Sequence, residues 1–387
     1  MENFEEKACL CALNRIFGFE PKIGLALISH LGSASEAFSL NEDELTSLLG
    51  PYSKHKGRIC RKAVDEAAKE LIQLSGAGIS FCGITEQYYP SLLKECEDPP
   101  IGLYIKSSTP LSGLWQKDRI SVVGTRDISP YGKEWCTRIV RSFASASEKP
   151  AIVSGLALGV DIEAHRTALE NGLSTIAVLP TGPDAIYPYR HRMFAERIAS
   201  SPGSALVTDY PPGTAPLAIH FLRRNRIIAG LSKATILIES KFKGGGMMTC
   251  RLAFSYNRDV YALPGRIEDT RSQGCNELIR QKIAEPIVSA TSLAESLGLS
   301  GRQHPDRTDF SSLLERHYAG RIPHEDLIIV KNMVSLIRKN RGITLEDLSA
   351  SLGCGYAKTT EMAGLLEIED IIITDLLQRC SINPKFM

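Results

Sequence analysis

The sequence predicts an α/β protein built on a doubly wound parallel sheet, with a helical region before it and a smaller helical region after it. Three observations carry this. Six short apolar runs lie between Arg119 and Leu263, spaced as buried strands with helical segments between them. Each run is followed by a turn containing glycine, the usual connection from a strand to a crossover helix. The flanking stretches instead place apolar residues at three- and four-residue spacing, the period of a half-buried helix.

A chain of 387 residues has room for two or three domains. The first expected region spans residues 1–100. Apolar positions in Ala8 to Phe17 and Ile23 to Leu31 predict two helices, and Phe17-Gly18-Phe19-Glu20-Pro21 breaks the chain between them. A longer amphipathic stretch runs from His55 to Leu74, followed by strand-like Gly78 to Ile84 and, beyond Pro99-Pro100, by Leu103-Tyr104-Ile105. The α/β domain is expected over 101–291, with strands at Ile120–Val123, Ala151–Val153, Thr175–Leu179, Ala205–Val207, Thr235–Ile238 and Val260–Leu263. Residues 292–324 carry Gly301-Arg302-Gln303-His304-Pro305 and no sustained period, which predicts a linker. Residues 325–387 hold three short helical patterns followed by Ile371-Ile372-Ile373, the order of a winged helix.

Composition narrows the function. With 43% hydrophobic and 23% charged residues the chain is not of the disordered class. Lys plus Arg number 45 against 44 for Asp plus Glu, so a site for a polyanion must come from local charge segregation. No apolar run reaches membrane-spanning length, and the acidic start Met1 to Glu6 is unlike a signal peptide, which predicts a cytosolic protein away from membranes. The ten cysteines show no metal-binding spacing and are expected as buried, reduced thiols.

In a doubly wound sheet ligands bind beyond the carboxyl ends of the strands, so the loops after the runs are the candidate sites. Gly124-Thr125-Arg126 offers backbone amides and a guanidinium to a phosphate, or is a tight turn with an exposed arginine. Ser154-Gly155-Leu156-Ala157-Leu158-Gly159-Val160-Asp161 resembles a dinucleotide loop but lacks the G-x-G-x-x-G spacing; its glycines suit phosphate contact better than His165 suits catalysis. Phe221-Leu222-Arg223-Arg224-Asn225-Arg226 sets an aromatic face beside three arginines, the combination single-stranded nucleic acid needs, although Arg224 and Arg226 cannot share one helix face. Around it, from His220 to Lys282, stand twelve Lys and Arg against five acids. Lys243-Gly244-Gly245-Gly246-Met247-Met248-Thr249 forms a glycine nest at a helix start, without the G-K-[ST] of a P-loop. No nucleophile elbow, Walker motif or paired carboxylates accompany these loops, so neither a cofactor nor catalysis is expected.

Taken in order, Gly124-Thr125-Arg126, Ser154-Gly155-Leu156-Ala157-x-Gly159-x-Asp161, Tyr187-Pro188, Asp209-Tyr210-Pro211-Pro212-Gly213, Phe221-x-Arg223-Arg224-Asn225-Arg226, Gly244-Gly245-Gly246-x-x-Thr249, Leu263-Pro264-Gly265 and Gly274-Cys275-Asn276 resemble the bacterial DNA-processing protein A (DprA/Smf) family. The resemblance spans Asp118 to Ile287. It implies an extended Rossmann-like fold, with a sterile-alpha-motif or helix-hairpin-helix domain before it and a winged helix after it. The implied function is to bind and protect single-stranded DNA and to load RecA recombinase in natural transformation and recombination, usually as a homodimer. Carried over by position, the family's G-S-R arginine is Arg126, the aromatic before its R-N motif is Phe221, and the basic residues there are Arg223, Arg224 and Arg226. Threonine replaces serine at 125, Leu222 stands for a proline, and Gly244-Gly245-Gly246-Met247-Met248-Thr249 stands for S-G-S-L-I-T.

Two other classes fit the sequence less well. A nucleotide-processing enzyme of the lysine-decarboxylase-like phosphoribohydrolases would carry P-G-G-x-G-T-x-x-E, whereas here Arg266 follows Pro264-Gly265 and no acid completes the signature. A transcription regulator would need a basic recognition helix, but Thr344 to Leu376 holds seven acids and one base, a charge suited to a protein partner rather than a duplex.

Overall fold

The computed structural model describes residues 2–299, 314–315, 317–318, 320–340, 342–375 and 378–383. Its contacts divide the chain into two compact units, Met1–Arg302 and Gln303–Met387.

The first unit opens with helices α1 (Glu2–Phe17), α2 (Pro21–Leu31), α3 (Glu42–Leu49) and α4 (Arg61–Gly76). Strand β1 (Ile79–Gly83), α5 (Ser91–Lys94), β2 (Gly102–Lys106) and α6 (Leu111–Leu114) follow. The six apolar runs form β3 (Arg119–Val123), β4 (Ala151–Ser154), β5 (Thr175–Val178), β6 (Ala205–Thr208), β7 (Ala234–Leu237) and β8 (Asp259–Ala262), before a two-residue β9 (Glu285–Pro286). Between them run α7 (Pro130–Phe143), α8 (Val160–Glu170), α9 (Arg192–Ser200), α10 (Ala218–Gly230), α11 (Gly245–Ser255) and α12 (Gln273–Arg280), and α13 (Ala290–Ser296) comes last.

These strands make one nine-stranded sheet in the order β1-β2-β6-β5-β4-β3-β7-β8-β9. Every pair from β6 to β9 is parallel. Both faces of its centre are covered: Ile120 and Val122 pack with α7 and α8 residues such as Ile139 and Ala164, while Val123 faces the opposite core. The strands are accordingly apolar throughout rather than alternating. Chain direction across the sheet reverses at β3, whose neighbours β4 and β7 are reached by opposite crossovers, and this switch point opens a crevice at the carboxyl ends of β3 and β7.

Four expectations need correction. The sheet is mixed, because β1 pairs with β2 and β2 with β6 in antiparallel fashion. The residues before 101 therefore do not form a separate body. Leu10, Leu13 and Phe17 of α1 share one core with Leu103, Val207 and Ile227, and Asn14 accepts from Gly102 N (3.2 Å) while donating to Asp209 O (2.9 Å). Part of the expected linker is folded, since Leu293, Leu297 and Leu299 around α13 join the core against α7; residues 300–313, 316 and 319 lie outside the described residues. Eight of the ten cysteines are buried, but Cys60 is exposed and Cys354 half-buried.

The second unit contains α14 (His324–Lys339), β10 (Ile343–Thr344), α15 (Leu345–Leu352), α16 (Tyr356–Ile368), β11 (Ile372–Thr374) and β12 (Arg379–Ile382). Its strands pair antiparallel in the order β10-β12-β11. Thr344 caps α15 by accepting from Asp347 N (3.2 Å), and Val330, Met333, Leu348, Leu366 and Ile372 fill a core of its own.

Candidate nucleic-acid interface

Beyond β3 and β7 lies an open cleft of about 700 Å³ at the switch point. Its lining brings together Gly124, Arg126, Phe221, Arg224, Asn225, Lys243, Gly245, Gly246 and Thr249, from three separate stretches of sequence. The loop after β3 is held from both sides. Thr125 N donates to Glu239 O (2.8 Å), and Val160 N donates to Thr125 O (3.1 Å). Glu239 is itself buried, with its carboxylate accepting from Ser129 N (2.9 Å) and from the Ser129 hydroxyl at the start of α7. The loop that presents Arg126 is thus fixed by four hydrogen bonds to and around Glu239 and the start of α8.

Close packing explains two of the glycines. A Cβ at Gly124 would lie 2.5 Å from Val160 Cγ2, and one at Gly246 would lie 2.7 Å from Leu237 Cδ1. Both residues permit loops to meet. Gly245 differs, because a Cβ there would meet nothing within 4 Å. It stands at the first position of α11, whose leading amides have no acceptor within the helix, so this end of α11 faces the cleft as a ready anion site.

Cations surround that site. Arg126, Lys241 and Lys243 are exposed, and none forms an ion pair among the described residues. The Arg126 guanidinium sits 4.8 Å from the centre of the Phe221 ring, which meets Tyr187 edge-on at 5.4 Å. Asp161 is the acid among the lining residues, and it is turned inward: its carboxylate accepts from Gly155 N (3.2 Å) and Ala157 N (3.4 Å). Burial raises its pKa, and the neighbouring Arg224 opposes that rise.

The arginine motif is split three ways by helix geometry. Arg224 is buried and donates to Gly155 O (2.7 Å) and Val178 O. Burial lowers its pKa to about 10. Arg226 is also buried; it donates to Asp209 Oδ2 (2.7 Å) and to Asp98 O. Arg223 donates to Gly18 O (2.7 Å) and Phe19 O (2.8 Å) at the α1–α2 turn and stacks on Phe19. Arg223, Arg224 and Arg226, expected as the basic residues of the DNA site, are instead three anchors that hold α10 against separate elements. Of this motif Phe221, Leu222, Arg224 and Asn225 line the cleft.

Ser154 and Gly155 are corrected as well. Ser154 is fully buried and donates to Val122 O (2.6 Å), and a Cβ at Gly155 would strike the Arg224 guanidinium. Neither lines the cleft. His165 is a core residue on Thr175 Oγ1 (2.6 Å), its pKa driven down to about 3 by burial. Sequence reasoning assigned no binding role to Tyr187 or Lys241. The Tyr187-Pro188 pair and the position of Lys241 two residues before Lys243 were the available signals.

The profile of the DNA recombination-mediator protein A family matches residues 80–298, which include every residue of this cleft. The chain belongs to that family. Among DprA/Smf relatives it is 38% identical to DNA processing protein DprA of Streptococcus pneumoniae, over 51% of this chain and 67% of that one. It is 35% identical to the DprA of Bacillus subtilis, over 57% and 72%, and 39% identical to protein Smf of Escherichia coli, over half of each chain. The solved DprA of S. pneumoniae superposes with a TM-score of 0.57 at 27% identity, covering 78% of this chain and 98% of that one. DNA processing protein A of Helicobacter pylori, described for its single-stranded DNA binding mode, gives a TM-score of 0.50 at 30% identity, covering 57% and 95%. The Rossmann-like α/β fold is thus shared with DprA structures. No helix among the described residues is long and apolar enough to cross a membrane.

Proposed function

We propose that this DprA/Smf family member binds single-stranded DNA, with little sequence preference, in the cleft beyond β3 and β7. The observation that carries this reading is the meeting of unpaired Arg126, Lys241 and Lys243 with the α11 amides on one side and the Phe221–Tyr187 ledge on the other. Phosphates pair with the cations and amides, while bases stack on the ring faces. No base-edge readout is required. The H. pylori relative's single-stranded DNA binding supports the same use of the fold.

In this reading the bound strand is protected and passed to RecA recombinase by a homodimer during recombination and transformation. The N-terminal helices keep a sterile-alpha-motif or helix-hairpin-helix-like arrangement while packed into the core of the first unit. Residues 325–387 form a winged helix whose acidic stretch docks a protein rather than DNA.

Fluorescence anisotropy with single- and double-stranded oligonucleotides at two salt concentrations tests the assignment. Single strands should bind more tightly, with a salt slope of about 0.7 per neutralised phosphate. Equal affinity for duplex, or indifference to salt, would overturn it. A chain ending at Leu299 should retain single-strand binding, and its loss in a folded truncation would move part of the site into the second unit.

A further inference from the structure

A second cavity of about 650 Å³ lies at the same edge of the sheet, lined by Tyr131, Pro264, Gly265, Arg266, Asp269 and Ser272. It adjoins the first cleft through a thin wall. Ser240 lines the first cleft and Ser272 the second, and Ser240 N donates to the carbonyl of Arg271, the residue before Ser272 (2.7 Å). Arg271 also donates to Asp127 O (3.0 Å) and Asp127 Oδ2 (2.7 Å), one residue beyond Arg126. The wall is therefore made by the loops after β3 and β7 and the start of α12.

The second cavity repeats the chemistry of the first. Tyr131 is 42% exposed, and its hydroxyl donates to Pro264 O (3.1 Å), which fixes the ring in the cavity wall. Its edge meets Trp135, one turn further along α7, at 6.3 Å, and Arg138 lies over the Trp135 ring at 5.5 Å. Arg266 is exposed and has no hydrogen-bond or ion-pair partner among the described residues for its guanidinium. The Asp269 carboxylate is already engaged, accepting from Arg271 N (2.9 Å) and weakly from Ser272 Oγ (3.4 Å). An oriented ring beside an unpaired guanidinium is the pairing that holds a base and its phosphate.

We propose that this cavity is a second subsite for single-stranded DNA, in which Tyr131 stacks a base and Arg266 pairs a phosphate of a strand leaving the Arg126 cleft across Lys241. The inference rests on the proposed function, and strand length separates the two. Binding of the wild-type protein to oligothymidylates from about 4 to about 16 nucleotides, the span of known single-strand site sizes, would be measured by anisotropy. Short strands report the first cleft alone. Affinity should step up once the strand reaches the second cavity, and the salt slope should grow by about 0.7 at that length.

Tyr131→Leu and Arg266→Ala should each lower affinity for long strands by about fivefold or more, as loss of one stacked base or phosphate contact requires, and leave short strands unaffected. Tyr131→Phe should retain the step because the ring remains. Absence of a step in the wild-type protein, survival of the step in both variants, or an equal loss for short and long strands would each overturn the second subsite. Failure of the wild-type protein to bind any single strand would instead overturn the proposed function and this inference together. Arg266 is a surface side chain, so Arg266→Ala keeps the test open should Tyr131→Leu fold poorly.

Discussion

Replacing Arg226 with alanine separates an anchoring arginine from a DNA-contacting one. Arg226 and Asp209 are each only 5% exposed, and the guanidinium donates to Asp209 Oδ2 at 2.7 Å while also satisfying Asp98 O. Asp209 Oδ1 already lacks a partner, so removing the guanidinium strands a buried carboxylate. Breaking one side of such a pair costs about 3–5 kcal/mol. For a folding unit of this size that corresponds to a fall in Tm on the order of 10 °C. Calorimetry or thermal circular dichroism measures it directly, alongside single-strand affinity well below the transition. The double variant Arg226→Met with Asp209→Leu should recover most of the loss, since apolar replacement of a whole buried pair is often neutral. An unchanged Tm accompanied by lost DNA affinity would refute the anchoring assignment and restore Arg226 to the interface.

Three further outcomes are expected. Arg126→Ala should weaken single-strand binding by about 1.5–3 kcal/mol with little change in Tm, because its one internal contact is an exposed cation–π pair worth about 0.5–1 kcal/mol; a titration by anisotropy checks it. Phe221→Ala should cost about 1–3 kcal/mol for each stacked base and Phe221→Tyr much less, and a large drop in Tm with unchanged binding would place the ring in the core instead. His165 should make stability depend on pH: its ordinary value of 6.5 is depressed to about 3, so below 6.5 the unfolded chain takes up a proton that the folded one refuses. Its contribution is fully present above 6.5 and falls by about 1.4 kcal/mol per unit as pH drops from there toward 3, which urea titrations of the wild type and His165→Gln would reveal as different slopes.

The strands were legible because burial on both faces demands runs such as Ile120-Ser121-Val122-Val123, and each was found within a residue or two of its expected limits. The cleft was legible because glycines stand where loops must meet, as at Gly124 and Gly246. What escaped was long-range. Nothing local in Leu103-Tyr104-Ile105 announces that this strand adds antiparallel to β6, so the N-terminal helices read as a separate body. The arginines escaped for a different reason. Successive helix residues point about 100° apart, and a run of like side chains cannot tell which one meets solvent, a carbonyl or a carboxylate. Arg223, Arg224 and Arg226 meet the α1–α2 turn, the β4 and β5 strand ends, and Asp209.

The pairing of Tyr104 with Thr208 and of Val123 with Leu237 also constrains how the protein is made. A ribosome delivers α1 through β2 long before β6 exists, so the early helices wait with an unpaired strand edge until the chain has reached the third quarter of the α/β body. Closing contacts over such spans is slow, and the waiting edge is the segment a chaperone would be expected to shield. The cleft needs β3 and β7 side by side and the α11 glycines after them, so it forms only near the end of synthesis of the first unit. A nascent chain halted before Gly245 carries Arg126 and Phe221 but no completed cleft, and interrupted translation products should not compete for DNA with the finished protein.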